Sequence, residues 1–202
     1  LSVVGSIEDV VADLPDFLTG SADTVAELLL GCEFERTIEG EVLRVRIVET
    51  EAYDEDDPAS HAFNGPTASN AALFGESGQL YVYFTYGMHH CCNVVCREAG
   101  YGAGALIRAA EPLDGLAQME RRRGRSGREL TNGPGKLCQA LEIDRSLTSH
   151  DLRLAPMRLL GGSLAPGESV TRTTRIGITR AVDRPRRFFI TDNPYVSRKA
   201  TR

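Results

Sequence analysis

The sequence predicts an α+β domain in which strands and helices alternate along one chain. Three observations carry this. The stretch "EVLRVRIVETEAY" alternates with the period of a strand, and "QLYVYFTYGMHHCCNVV" reads as a strand, a glycine turn and a returning strand. Capped segments with one apolar face, "SADTVAELLLG" and "GPGKLCQAL", read as helices. At 202 residues the chain is expected to form one domain, 1–202, large enough to bury a core of its own.

The elements follow in order. Ser21 is placed to cap a short helix whose apolar face is Val25, Leu28 and Leu29 and which Gly31 stops. In the alternating strand, Val45, Ile47, Glu49, Glu51 and Tyr53 are expected on one face, and Arg46, Val48, Thr50 and Ala52 on the other. Pro58, Asn64-Gly65 and Pro66 make the next stretch a loop. "QLYVYFTYG" is the second strand, "HHCCNVV" its antiparallel partner and "GALIRAAEP" a third candidate. "LDGLAQMERRR" is a helix running into a basic stretch, Arg121 to Arg128, and Pro134 opens another. "LLGGSLAPGES" is a loop, and "TRIGITRA" and "RRFFIT" are expected late strands.

The net charge of -5 hides an asymmetry. Residues 1–60 hold 16 acidic and 3 basic residues, a balance of -13; residues 61–202 hold 12 acidic and 20 basic, a balance of +8. A basic remainder permits a cationic face of the kind that meets phosphates, although an unevenly charged solvated surface explains the same counts. No apolar run is long enough to cross a membrane as a helix. The first thirty residues lack a basic region and carry Glu8, Asp9, Asp13 and Asp16, so they are not expected to be a signal peptide. Five cysteines, an odd number with three crowded together, fit reduced thiols in a cytoplasm.

The run His89-His90-Cys91-Cys92 invites a metal reading. Alternation on a strand leaves each face with only two possible ligands, and no C-x-x-C pair or H-x-x-x-H helix supplies the others. Buried packing explains Cys91 and Cys92 better, because free cysteine behaves as a small hydrophobe. No metal and no cofactor are expected. The tyrosines divide: Tyr81 reads as a sheet residue, whereas Tyr86, beside Gly87 at a bend, has little core to bury in and is placed to meet a partner. Glu49, Glu51 and Tyr53 at i, i+2 and i+4 set carboxylates beside a ring, the combination needed to activate water next to a flat substrate; two solvated glutamates fit the same pattern.

Four motifs in order, "IVETEAY", "LYVYFTYGM" followed by Asn93, "LIRAAEPL" and "NGPGKLCQAL", resemble the alkyladenine (3-methyladenine) DNA glycosylases of the methylpurine type. The resemblance runs from about Val25 to Arg198. It implies one compact α+β domain: a curved, mainly antiparallel sheet with helices outside and a protruding hairpin. It implies a monofunctional, metal-free enzyme that flips a damaged purine out of double-stranded DNA and hydrolyses its N-glycosidic bond. It assigns the general base to Glu51 and the rings around the flipped base to Tyr53, His61 and Tyr83. Asn93 would crowd the 2-amino group of guanine, and Arg108 would organise water and phosphate. Tyr86 and Met88 would enter the duplex. Lys136, Arg121 and Arg122 are the expected phosphate contacts. The expected partner is damaged duplex DNA, not a membrane, met by a monomer in the cytoplasm or at a bacterial nucleoid. A lesion-binding relative without turnover is the alternative; an intact Glu51 argues against it. The chain departs from the family pattern after "YGM", where His89 and His90 stand in place of bulky aromatics. The acidic run Asp54 to Asp57 would repel phosphate, and is expected to face away from it.

Overall fold

A computed structural model describes residues 13–85 and 87–197. Its frame is one curled antiparallel sheet. β1 (Glu33–Ile38) and β2 (Glu41–Asp54) form a hairpin whose two turn residues, Glu39 and Gly40, both have positive φ. That is the turn geometry whose twist matches paired strands. β3 (Leu80–Thr85) and β4 (His89–Val95) form the tyrosine hairpin, turning at Gly87 (φ +65°). β5 (Ala103–Asp114) joins β4 to β2. β6 (Met157–Leu160) extends the sheet beyond β1, while β7 (Val170–Thr173) and β8 (Arg187–Ile190) attach beside the far half of β2.

Among the described residues three α-helices pack into the core on one face. α1 (Ala22–Leu28) starts where the Ser21 hydroxyl accepts the Thr24 N–H. α2 (Leu116–Arg123) ends at Gly124, whose left-handed conformation closes it, and α3 (Pro134–Ala140) opens on its proline. Leu29, Phe34, Ile47, Ile107, Met119, Leu137 and Phe188 fill the core. The opposite face carries a smaller cluster, Ala62, Leu73, Tyr81 and Val95, beneath the long β2–β3 connection.

The expected alternation along β2 holds only in halves. Ile47 pairs with Ala110 and Glu49 with Ala109, so Val48 is an extra residue; Thr50 then pairs with Ile107, which makes Arg108 the extra residue opposite. The two bulges restore the register and exchange the faces. Val45 and Ile47 therefore share the apolar core with Val48 and Ala52, not with Glu49 and Glu51. "TRIGITRA" is not a strand: residues 174–181 are irregular, and β7 lies before them. β1 and β6 are strands that the sequence pattern did not single out. The Tyr86 expectation falls outside the described residues. No helix among those described is long and apolar enough to cross a membrane.

Candidate active site

The bulge pair aims Glu49, Glu51 and Arg108 away from the helices, and a cavity of about 630 Å³ opens on that side. Its wall includes Glu51, Tyr53, His61, Tyr83, Asn93 and Arg108, so the expected general base and the five residues expected to meet the base line one cavity. Gly104, opposite Tyr53 in register, lines it too, and a side chain there would press on Leu73 and touch Asn93. The far wall is the irregular segment Ile176–Arg180.

Glu51 is fully buried, yet its carboxylate is surrounded by donors. Oε1 accepts the Ile176 N–H at 2.8 Å. Oε2 accepts the Tyr53 hydroxyl at 2.8 Å and lies 3.2 Å from Arg108 Nη1. Burial pushes the Glu51 carboxyl above its ordinary 4.5, against the pull of Arg108, the Ile176 N–H and the Tyr53 hydroxyl. Burial also raises the Tyr53 phenol, and the Glu51 charge adds to it, so Tyr53 stays protonated and donates.

Behind this pair is a second carboxylate. Glu49 Oε1 accepts Arg108 Nε at 2.9 Å, Arg187 Nε at 2.7 Å and the Ser197 hydroxyl at 2.9 Å; Oε2 accepts the Ser197 N–H at 2.6 Å. Burial works against the Arg108 charge, and Glu51 and Glu49 overcome it, holding the guanidinium ionised. Arg108 is only 7% exposed, so it is first a partner of two carboxylates.

The rings form a connected set. Tyr81 and Tyr83 stack at 5.7 Å between centroids, and His61 meets Tyr83 edge-on at 4.5 Å. His61 Nδ1 lies 3.0 Å from the Tyr81 hydroxyl; burial holds the imidazole below its ordinary 6.5 and pushes the Tyr81 phenol up to about 12. Asn93 donates its side-chain amide to the Tyr81 carbonyl at 3.1 Å, which fixes its orientation at the cavity. Tyr81 also lines the cavity, a place its strand pattern alone did not assign.

Met88, Lys136, Arg121 and Arg122, expected to meet DNA, are not among the residues that line the cavity. Met88 is 68% exposed at the β3–β4 turn, near Phe84 at 50%. Lys136 bonds Glu129 at 2.7 Å and Asn132 at 2.8 Å. Arg122 is held by Glu142 at 2.9 Å and is largely covered, whereas Arg121 is 71% exposed. The acidic run is occupied internally: Asp54 and Asp57 bind Arg186, Glu55 accepts the Gly102 N–H, and Asp56 accepts the Tyr101 hydroxyl. All five cysteines are buried and reduced, and among the described residues no group of three His, Cys, Asp or Glu side chains is placed to hold a metal.

A curled antiparallel sheet whose open face sets a buried carboxylate in an aromatic-walled cavity suits an enzyme that acts on a flat substrate. Comparison with known proteins gives the class, a DNA glycosylase, which is a hydrolase of N-glycosyl bonds. The family model for methylpurine-DNA glycosylase matches residues 16–194. A Carboxydothermus hydrogenoformans protein named "Putative 3-methyladenine DNA glycosylase" is 46% identical over 177 residues, 87% of this chain and 93% of the relative. Proteins of the same name from Nitrosospira multiformis and Agrobacterium fabrum are 47% and 46% identical over 184 residues, each covering 91% of this chain and 92% and 91% of their own. The chain belongs to the methylpurine-DNA glycosylase family.

Proposed function

We propose that this protein excises alkylated or deaminated purines from double-stranded DNA, flipping the damaged nucleotide into the cavity and hydrolysing its N-glycosidic bond. The observation that carries the reading is the Glu51 carboxylate on the wall of a cavity shared with Tyr53, His61 and Tyr83. Stacking contributes about 1–3 kcal/mol per base, enough to offset much of the cost of unstacking from the duplex. A purine made cationic by alkylation gains further attraction from the ring faces.

An ionised carboxylate offers about four acceptor directions. Ile176 and Tyr53 donate to two of those on Glu51 and Arg108 faces Oε2 as an ion pair; the attacking water takes a direction that remains. Glu51 takes a proton from that water as the oxygen bonds to C1′. The C1′–N bond breaks with its electrons passing to the base, so a cationic purine departs neutral and needs no acid. The negative charge of Glu51 also favours the sugar cation as it develops. Asn93 crowds the 2-amino position of guanine. Tyr86 and Met88 enter the vacated stack, and Arg121, Arg122 and Lys136 lie along the phosphates. The protein acts alone, as a monomer, in the cytoplasm or at a nucleoid.

The test is a duplex carrying one hypoxanthine or one 3-methyladenine. Incubation followed by hot alkali yields a cleaved strand if the base has been removed. An intact strand for every alkylated or deaminated purine tried, at protein concentrations that shift the duplex on a gel, rejects the proposal.

A further inference from the structure

We infer that Arg175 is a positioning residue for the Glu51–Tyr53 pair, holding the ring from behind and fixing the carboxylate through the N–H of the next residue. The inference rests on the reading of Glu51 as the general base and extends it to a residue outside the cavity wall.

Three consecutive residues of β2 are engaged by two consecutive residues of the irregular segment. The Arg175 guanidinium carbon lies 4.5 Å from the Tyr53 ring centroid, so it covers one ring face. Arg175 Nη1 donates to the Ala52 carbonyl at 2.9 Å, and the Ile176 N–H donates to Glu51 Oε1 at 2.8 Å. The Tyr53 hydroxyl is itself bound to Glu51. The ring is thus held at its edge and against one face, and Tyr53 is also part of the cavity wall. A ring fixed in advance gives up less freedom when a base stacks on it.

Arg175 is anchored in turn. Its side chain is fully buried, with Nη1 2.5 Å and Nη2 3.1 Å from the two oxygens of Asp57, which is buried too. Asp57 also accepts the Ala59 N–H at 2.9 Å and Arg186 Nη1 at 3.0 Å, which joins this anchor to the β2–β3 connection. Burying a guanidinium is costly, and an apolar side chain would fill the same space at lower cost. A planar fork reaches Asp57 and the Ala52 carbonyl while its plane stays on the ring; a lysine cannot do all three.

Arg175→Lys keeps the charge and loses the fork and the plane. Arg186→Lys is the control: Arg186 binds the same Asp57 and makes no hydrogen bond or ring contact with Tyr53 or Glu51. Two measurements are paired, the Glu51 carboxyl titration by ¹³C NMR and the single-turnover excision rate against pH. Arg175→Lys is expected to move the Glu51 titration to higher pH, because the Ile176 N–H and Tyr53 hydroxyl that hold it down are loosened. The acid limb of the rate moves with it, and the rate at neutral pH falls about tenfold, the order expected for one lost hydrogen bond to a charged group. Arg186→Lys lowers Tm and moves neither.

If Arg175→Lys lowers Tm alone and leaves both profiles in place, the inference is overturned. Should that variant not fold, Asp57→Asn removes the anchor. Loss of a negative charge by itself would shift Glu51 downward, so an upward shift there supports the inference, and a downward or absent one rejects it. If the wild type excises no base, the general-base reading falls, and the NMR titration still decides the role of Arg175.

Discussion

Tyr53 donates its hydroxyl to Glu51 Oε2 across 2.8 Å, from two residues along the same strand. The far side of the bulge pair puts both side chains on the cavity face. The ring proposed to stack on a base and the carboxylate proposed to activate water are therefore one hydrogen-bonded unit, and substitutions should separate their two contributions. Tyr53→Phe keeps the ring and removes the donor. It is expected to retain lesion binding while losing about tenfold in single-turnover rate, the scale of one hydrogen bond to an ionised group.

Glu51→Gln keeps the shape and removes the base. Excision should fall by about a hundred- to ten-thousandfold, the range of general-base contributions. A gel shift with a hypoxanthine duplex should persist. Residual turnover close to wild type would remove Glu51 from the mechanism.

The pH profile has a definite sign. A base must be ionised to act, and burial raises Glu51 above 4.5, so the acid limb of the excision rate should lie above the ordinary carboxylate range. Stability responds in the opposite sense. A raised folded pKa means that the native state holds its proton longer than the unfolded chain. The corresponding stability is full below 4.5 and is lost as pH rises through the folded value. Denaturant titrations of wild type and Glu51→Gln across that window should show this slope only in the wild type.

Glu49 serves the same site from behind and should register in stability. Glu49→Gln takes a carboxylate from Arg108 and Arg187, both buried, and is expected to cost about 3–5 kcal/mol, as breaking a buried ion pair does. Chemical denaturation measures this directly. A change below about 0.5 kcal/mol, the scale of an ordinary surface substitution, would mean the network carries little of the fold.

The expected DNA contacts divide by exposure. Met88→Ala should leave stability within about 0.5 kcal/mol, as for a surface residue, and weaken binding to duplex DNA. Arg121→Gln should reduce the slope of log affinity against log salt by about one if Arg121 meets a phosphate. Arg122, paired with Glu142 and largely covered, should show its substitution first in Tm.

The local signals that were legible are those with a short-range cause. A serine cap, a proline at a helix start and the apolar positions of the hairpin strands need only nearby residues to act, and α1, α3, β3 and β4 lie where those signals put them. "TRIGITRA" shows the limit. Its alternation imitates a strand, but Arg175 is drawn to Asp57, 118 positions earlier, and Ile176 to Glu51, 125 positions earlier. Nothing local announces either partner.

By itself the sequence determined which groups are available and on which strands and turns they sit: a glutamate two residues before a tyrosine, a tyrosine hairpin, and an arginine in "LIRA". Tertiary structure alone decided where they point. Strand alternation is a local rule, and an extra residue on each of two paired strands overrides it, because pairing between β2 and β5 must be satisfied across the sheet. Those two bulges turn Glu49 and Glu51 out of the apolar core, Glu51 onto the cavity wall, and a long-range ion pair and hydrogen bond bring up the last wall. Both effects depend on partners distant in the chain, which only the folded sheet brings within reach.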